Sequence, residues 1–177
     1  MVSTIIDKFK HMKTKTIIVL LLSVIALSGC KQNNWLDWKT QNEIWLAANA
    51  NKIDTLPNGD TVRVQTTHTG LQYKCIVPGI SHSSGHVDDA KIVTINYTGK
   101  LINGCVFDAS DNYSEYVSAF VPGFIEGLKQ MKEFGIYELY IPYDLAYGQE
   151  GAGTEGTSSH IPPYSTLIFR VELLDVY

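Results

Sequence analysis

Pro122-Gly123-Phe124-Ile125-Glu126-Gly127-Leu128-Lys129-Gln130-Met131 is the stretch on which the fold turns. Its apolar residues fall at 124, 125, 128 and 131, a helical spacing, so one short amphipathic helix is expected over Phe124 to Met131, between Pro122-Gly123 and Gly135. Around it every segment reads as strand: 71–77, closed by Pro78-Gly79, then 92–101, 106–107, 116–121, 136–141 and 166–176. Many antiparallel strands with a single helix predict an α+β domain, a curled antiparallel β-sheet wrapped over one short α-helix.

Ser81 to His86 reads as loop. Pro57-Asn58-Gly59-Asp60 is a strong turn signal followed by alternating Val62 and Val64, so 53–66 is expected as a hairpin or an added edge strand. Upstream, 35–50 lacks Gly and Pro, and Trp38, Trp45 and Asn49 are spaced close to whole helical turns, which predicts an amphipathic helix. Its three tryptophans need cover. The chain's own domain is the expected partner and a dimer contact the other; without a basic face it makes a poor membrane-surface helix.

The first 34 residues carry a different message. Lys13 and Lys15 precede an apolar run from Ile17 to Leu27, too short for the roughly 20 residues of a membrane span, and the run stops at Leu27-Ser28-Gly29-Cys30. This reads as a signal peptide over 1–29, with Met12 a second candidate start. Its ending resembles a bacterial lipobox, which implies lipidation of Cys30 and attachment to the membrane through that lipid. Residues 30–34 then form a polar tether, 35–69 an N-terminal helical and extended extension, and 70–177 the main domain. Export permits a disulfide between Cys75 and Cys105; the plainer reading is two small, partly buried apolar side chains.

The composition is globular, with 45% hydrophobic and 18% charged residues over 177 positions. Fourteen basic against eighteen acidic side chains give a net charge of −4, too balanced for a nucleic-acid partner. The sequence has no phosphate-binding glycine loop, no paired-cysteine motif and no His-Glu-x-x-His helix. His82 and His86 read as exposed loop residues, and His68 and His160 have no evident nucleophile to serve. Neither a metal nor an organic cofactor is expected. Aromatic density does stand out in the C-terminal half: Tyr97, Phe107, Phe120, Phe124, Tyr137, Tyr140, Tyr143, Tyr147, Tyr164 and Phe169 are too many for a small core to hide, so several should line a pocket.

Five segments then match a known family in order and spacing: Val93-Thr94-Ile95-Asn96-Tyr97-Thr98-Gly99, Gly104-Cys105-Val106-Phe107-Asp108-Ala109-Ser110, Val121 to Leu128, Tyr140-Ile141-Pro142-Tyr143-Asp144-Leu145-Ala146-Tyr147-Gly148, and Ile161-Pro162-Pro163-Tyr164-Ser165-Thr166-Leu167-Ile168-Phe169. Together they resemble an FKBP-type peptidyl-prolyl cis-trans isomerase over about 70–177. The resemblance implies a proline pocket walled by Tyr97, Phe107, Val121, Phe124, Tyr147 and Phe169, with Asp108 as the lone carboxylate at its edge. It also implies that the backbone N–H of Ile161 and the hydroxyl of Tyr147 hold the substrate's carbonyls. Proline-containing polypeptides, unfolded or folding after export, are the implied partners, in the cell envelope facing the periplasm or cell surface.

Three departures accompany the match. Phe124 stands where the family usually has tryptophan. The segment between Asp108 and Phe120 is short, leaving Tyr113 and Tyr116 as candidates for a further wall. Gln149 to His160 is long and glycine-rich. These departures keep open an alternative in which the fold serves as a non-catalytic binding module or chaperone.

Overall fold

The computed structural model describes residues 35–80 and 86–177. The signal peptide, the tether, Cys30 and His82 lie outside the described residues. Helix α1 spans Trp35–Asn49. Strands β1 (Ile53–Thr55) and β2 (Thr61–Arg63) form a hairpin, and β3 (Gln65–Thr66) joins the main sheet as an edge, so 53–66 supplies both structures its pattern allowed. The main sheet continues with β4 (Gln72–Val77), β5 (Ile92–Leu101), β6 (Val106–Tyr116), β7 (Ile136–Ile141) and β8 (Leu167–Val176), in the antiparallel order β3-β4-β7-β8-β5-β6.

Helix α2 covers Pro122–Leu128, beginning two residues earlier and ending three earlier than expected. Proline suits the first helical position, where its missing N–H has no partner to lose, so Pro122 opens the helix and does not merely flank it. Strand β6 also differs from its expected form. A break after Phe107 and a separate strand over 116–121 were expected; instead one strand runs from Val106 to Tyr116, and Val117–Ala119 is a single 3-10 turn.

The alternation of strand side chains gives the sheet two buried faces. On the inner face Leu71, Ile95, Leu139, Ile141, Leu167, Val171 and Leu173 are fully buried against Phe124 and Leu128 of α2. Contact this close requires glycine: a Cβ on Gly123 would run into Ile141, and one on Gly127 into Leu139. On the outer face Tyr140, Ile168 and Val64 pack against Trp45 and Leu46 of α1.

Polar side chains complete the seat of α1. The Trp38 indole N–H donates to Ser165 Oγ at 2.9 Å, the backbone N–H of Thr166 donates to Asn42 Oδ1 at 2.7 Å, and Asn49 Nδ2 donates to Gln72 Oε1 at 2.9 Å. The tryptophan helix therefore packs on its own domain, and residues 35–177 form one compact unit. Beside it, Lys74 Nζ sits 2.6 Å from Asp54 Oδ2 and 2.7 Å from Glu138 Oε2, tying the β1–β2 hairpin to the sheet.

Cys75 and Cys105 are both free. Cys75 lies on β4 and Cys105 in the turn between β5 and β6, with β7 and β8 interposed. Three inter-strand steps of about 4.8 Å exceed the reach of a disulfide.

Candidate active site

A cavity of about 250 Å³ opens between β5, β6, α2 and the segment after β7. Its lining brings together Tyr97, Phe107, Asp108, Val121, Phe124, Tyr147 and Phe169, and adds Tyr113, Ala119 and Phe120. Phe124 forms the floor because it stands on the buried side of α2. Its ring meets Phe169 edge-on at 4.9 Å and stacks on Phe120 at 4.8 Å. Phe107 meets Phe169 at 5.4 Å and 90°, and Tyr97 tilts against Phe169 at 6.1 Å. Such edge-to-face contacts add about 0.5–1.5 kcal/mol per pair beyond area burial, which fixes the rings as a rigid wall.

Two hydroxyls and one carboxylate face this wall. Tyr97 Oη donates to Asp108 Oδ2 at 2.8 Å. Burial, then the hydrogen bond and charge of Asp108, hold the Tyr97 hydroxyl well above the usual phenol range. Tyr147 is likewise raised, first by burial and then by the Asp108 charge. Its ring is 42% exposed, and its hydroxyl takes no hydrogen-bond partner among the described residues. Tyr147 thus remains a protonated donor through neutral pH.

Ile161 departs from expectation. Its N–H donates to the Ala152 carbonyl at 2.8 Å and its own carbonyl accepts from Ala152 N–H at 2.9 Å, a bridge that closes the base of the 149–160 loop. It is 4% exposed and does not line the cavity, so its N–H has no capacity left for a substrate. The N–H of Val121 is a better donor, because no acceptor among the described residues takes it. The signal for it was Pro122, which makes Val121 the N-cap of α2, a position whose amide has no partner inside the helix. Of the two candidates for a further wall, Tyr113 lines the cavity, whereas Tyr116 ends β6 opposite Ile92 and stays 53% exposed.

Gly99 stands behind the wall. A Cβ there would come within 2.7 Å of both Phe107 Cζ and Phe169 Cε1. Gly99→Ala is therefore expected to push both rings into the cavity and to destabilise the fold by about 1–3 kcal/mol, the usual cost of overpacking. A thermal melt unchanged from wild type would show that the rings yield freely.

The family model described as FKBP-type peptidyl-prolyl cis-trans isomerase matches residues 84–174. The FKBP-type 22 kDa peptidyl-prolyl cis-trans isomerase of Escherichia coli (strain K12) is 43% identical over 117 residues, 64% of this chain and 53% of that protein. Outer membrane protein MIP of Legionella longbeachae is 35% identical over 144 residues, 78% of this chain and 54% of that one. Among solved structures, FkpA from Escherichia coli superposes with a TM-score of 0.69 at 32% identity, over 92% of this chain and 70% of its own. The chain spans about half the length of the curated relatives it matches.

Proposed function

The chain belongs to the FKBP-type peptidyl-prolyl cis-trans isomerase family, and from that membership we propose that its cavity takes the prolyl ring of an exported polypeptide and speeds rotation about the amide before it. The observation that carries this reading is the cavity of about 250 Å³, walled by aromatic rings and holding a single carboxylate already engaged by Tyr97.

The chemistry follows from the amide. Resonance sets a rotation barrier of about 18–20 kcal/mol. In the twisted transition state the nitrogen is no longer conjugated and the carbonyl carries less charge separation. A dry, ring-lined site strips water from the planar amide and so favours the twisted form, which is differential binding of the transition state. Phe107, Phe124 and Phe169 grip the prolyl ring, and Tyr147 Oη and Val121 N–H donate to substrate carbonyls. Asp108 anchors Tyr97 in the wall. A thousandfold acceleration requires only about 4 kcal/mol, so no covalent step is needed.

The test is cis-to-trans relaxation of a short Xaa-Pro peptide with the purified chain. The rate constant should rise in proportion to protein concentration. A rate unchanged by well-folded protein would remove catalysis and leave the binding-module alternative, which a delay in the refolding of an unfolded client would then support.

We also propose that the protein resides in the cell envelope, anchored by lipid on Cys30. Support comes from the Lys13 to Cys30 pattern and from similarity to a relative named as an outer membrane protein. No helix among the described residues is long and apolar enough to cross a membrane. Cys30→Ser should shift the protein from the membrane fraction to the soluble one; an undiminished membrane share in that variant would rule out the anchor.

A further inference from the structure

We propose that the Asn96 carboxamide is a positioning residue for the cavity: it clamps a bulge in β6 whose extra residue turns Tyr113 onto the pocket face. The proposal rests on the isomerase reading above. Strands β5 and β6 pair as Tyr97↔Ser110 and Ile95↔Tyr113, so Asp111 and Asn112 together oppose the single residue Asn96.

Directly paired residues share a face of the sheet, and Ile95 and Tyr97 lie on the inner one. Were the same residues paired regularly, with no bulge, Asn112 would oppose Ile95 and Tyr113 would oppose Thr94, on the outer face, because a one-residue slip reverses every side chain. The bulge returns Tyr113 to the inside. There its ring stands edge-on to Tyr97 at 5.9 Å and to Phe120 at 6.3 Å, and it joins the cavity wall. Bulges beside active sites commonly re-aim a side chain in this way.

The bulge is held from behind. Asn112 has φ 52, and its N–H donates to Asn96 Oδ1 at 2.8 Å. Asn96 Nδ2 in turn donates to Glu172 Oε2 on β8 at 2.9 Å. Asn96 therefore links β6, β5 and β8 from the outer face, where it borders a polar recess with Thr98, Asp111, Arg170 and Glu172. It touches no substrate and acts through Tyr113.

In the full chain, Asn96→Ala should lower kcat/KM for an Xaa-Pro peptide about fivefold, the worth of one neutral hydrogen bond. The same change should have almost no further effect in a Tyr113→Ala background, where the wall is already gone. Combining Asn96→Asp with Glu172→Gln keeps an acceptor for Asn112 and a donor–acceptor pair across β5 and β8, and should restore the rate. Amide hydrogen exchange at Asn112 gives a readout independent of catalysis: faster in Asn96→Ala, slow again in the polarity-exchanged pair. An Asn96→Ala loss that is equal with and without Tyr113, or an unchanged rate, overturns the inference while wild-type catalysis stands. A wild-type chain without activity defeats the isomerase reading instead, and Asn112 exchange then decides whether the clamp exists.

Discussion

Asp108→Ala is expected to lower kcat/KM for a proline peptide by about tenfold and to destabilise the fold by no more than about 1.5 kcal/mol. The carboxylate lies at the exposed rim, so its removal opens no cavity. What it does remove is the acceptor for Tyr97 Oη at 2.8 Å. A hydrogen bond to a charged group contributes about 1.5–3 kcal/mol, and solvent at the rim argues for the low end of that range, close to one decade in rate. Freed of its anchor, Tyr97 no longer holds a fixed place against Phe124 and Phe169. Asp108→Asn keeps an acceptor and should lose less than Asp108→Ala. Equal losses in the two variants would assign the effect to the charge; no loss in either would remove Asp108 from the mechanism.

Lys74→Met is expected to have the largest effect on stability, about 2–3 kcal/mol at neutral pH, read as a lower midpoint in urea with the slope unchanged. The ammonium is 7% exposed and sits between Asp54 and Glu138, which are 26% and 24% exposed. Removing it leaves two carboxylates facing each other, each with only a more exposed cation, Lys52 at 3.3 Å from Asp54 and Arg170 at 3.8 Å from Glu138, and these pairs together with the partial exposure keep the cost below that of a fully buried pair. The hydrogen bond from Lys74 holds Asp54 below its ordinary pKa against the opposing effect of burial. Burial would raise Glu138, but hydrogen bonds from Lys74 and Tyr140 outweigh it and hold the group low. Carboxylates depressed in the folded state stabilise it above their unfolded pKa, about 4, and that contribution is lost as pH falls through the folded values. The gap between wild type and variant should therefore be full at pH 7 and shrink below about pH 4. A gap that stays constant down to pH 3 would show that Lys74 contributes through packing alone.

Much of the cavity was legible because its residues sit in dense local motifs. Tyr97, Phe107, Asp108, Phe124, Tyr147 and Phe169 each fall in a segment that resembles the FKBP pattern, and it is that resemblance, not strand or turn character, that implied their convergence; aromatic density alone implied only that some of them line a pocket. The middle of β6 was not legible. Asp108-Ala109-Ser110-Asp111-Asn112 has the composition of a loop, and only pairing along β5 makes it strand; tertiary contact overrode propensity there. The same blindness left the choice between Tyr113 and Tyr116 for the further wall open, since a bulge changes which face a residue occupies without changing the sequence pattern. Ile161 misled for a related reason: whether an amide is free depends on what lies opposite, and Ala152 is nine positions away across a loop. Buried Asn42, 0% exposed, could not be told from a surface asparagine until its partner at Thr166 came into view.

The seat of α1 also has a bearing on the order of assembly. Trp38 and Asn42 are secured by Ser165 and Thr166, partners 127 and 124 positions downstream. A chain made from its N-terminus at about 5–20 residues per second presents its tryptophans several seconds before the last strand exists to receive them. Helix α1 is thus among the last of the described elements to dock, although its residues are made before those of every strand it packs against.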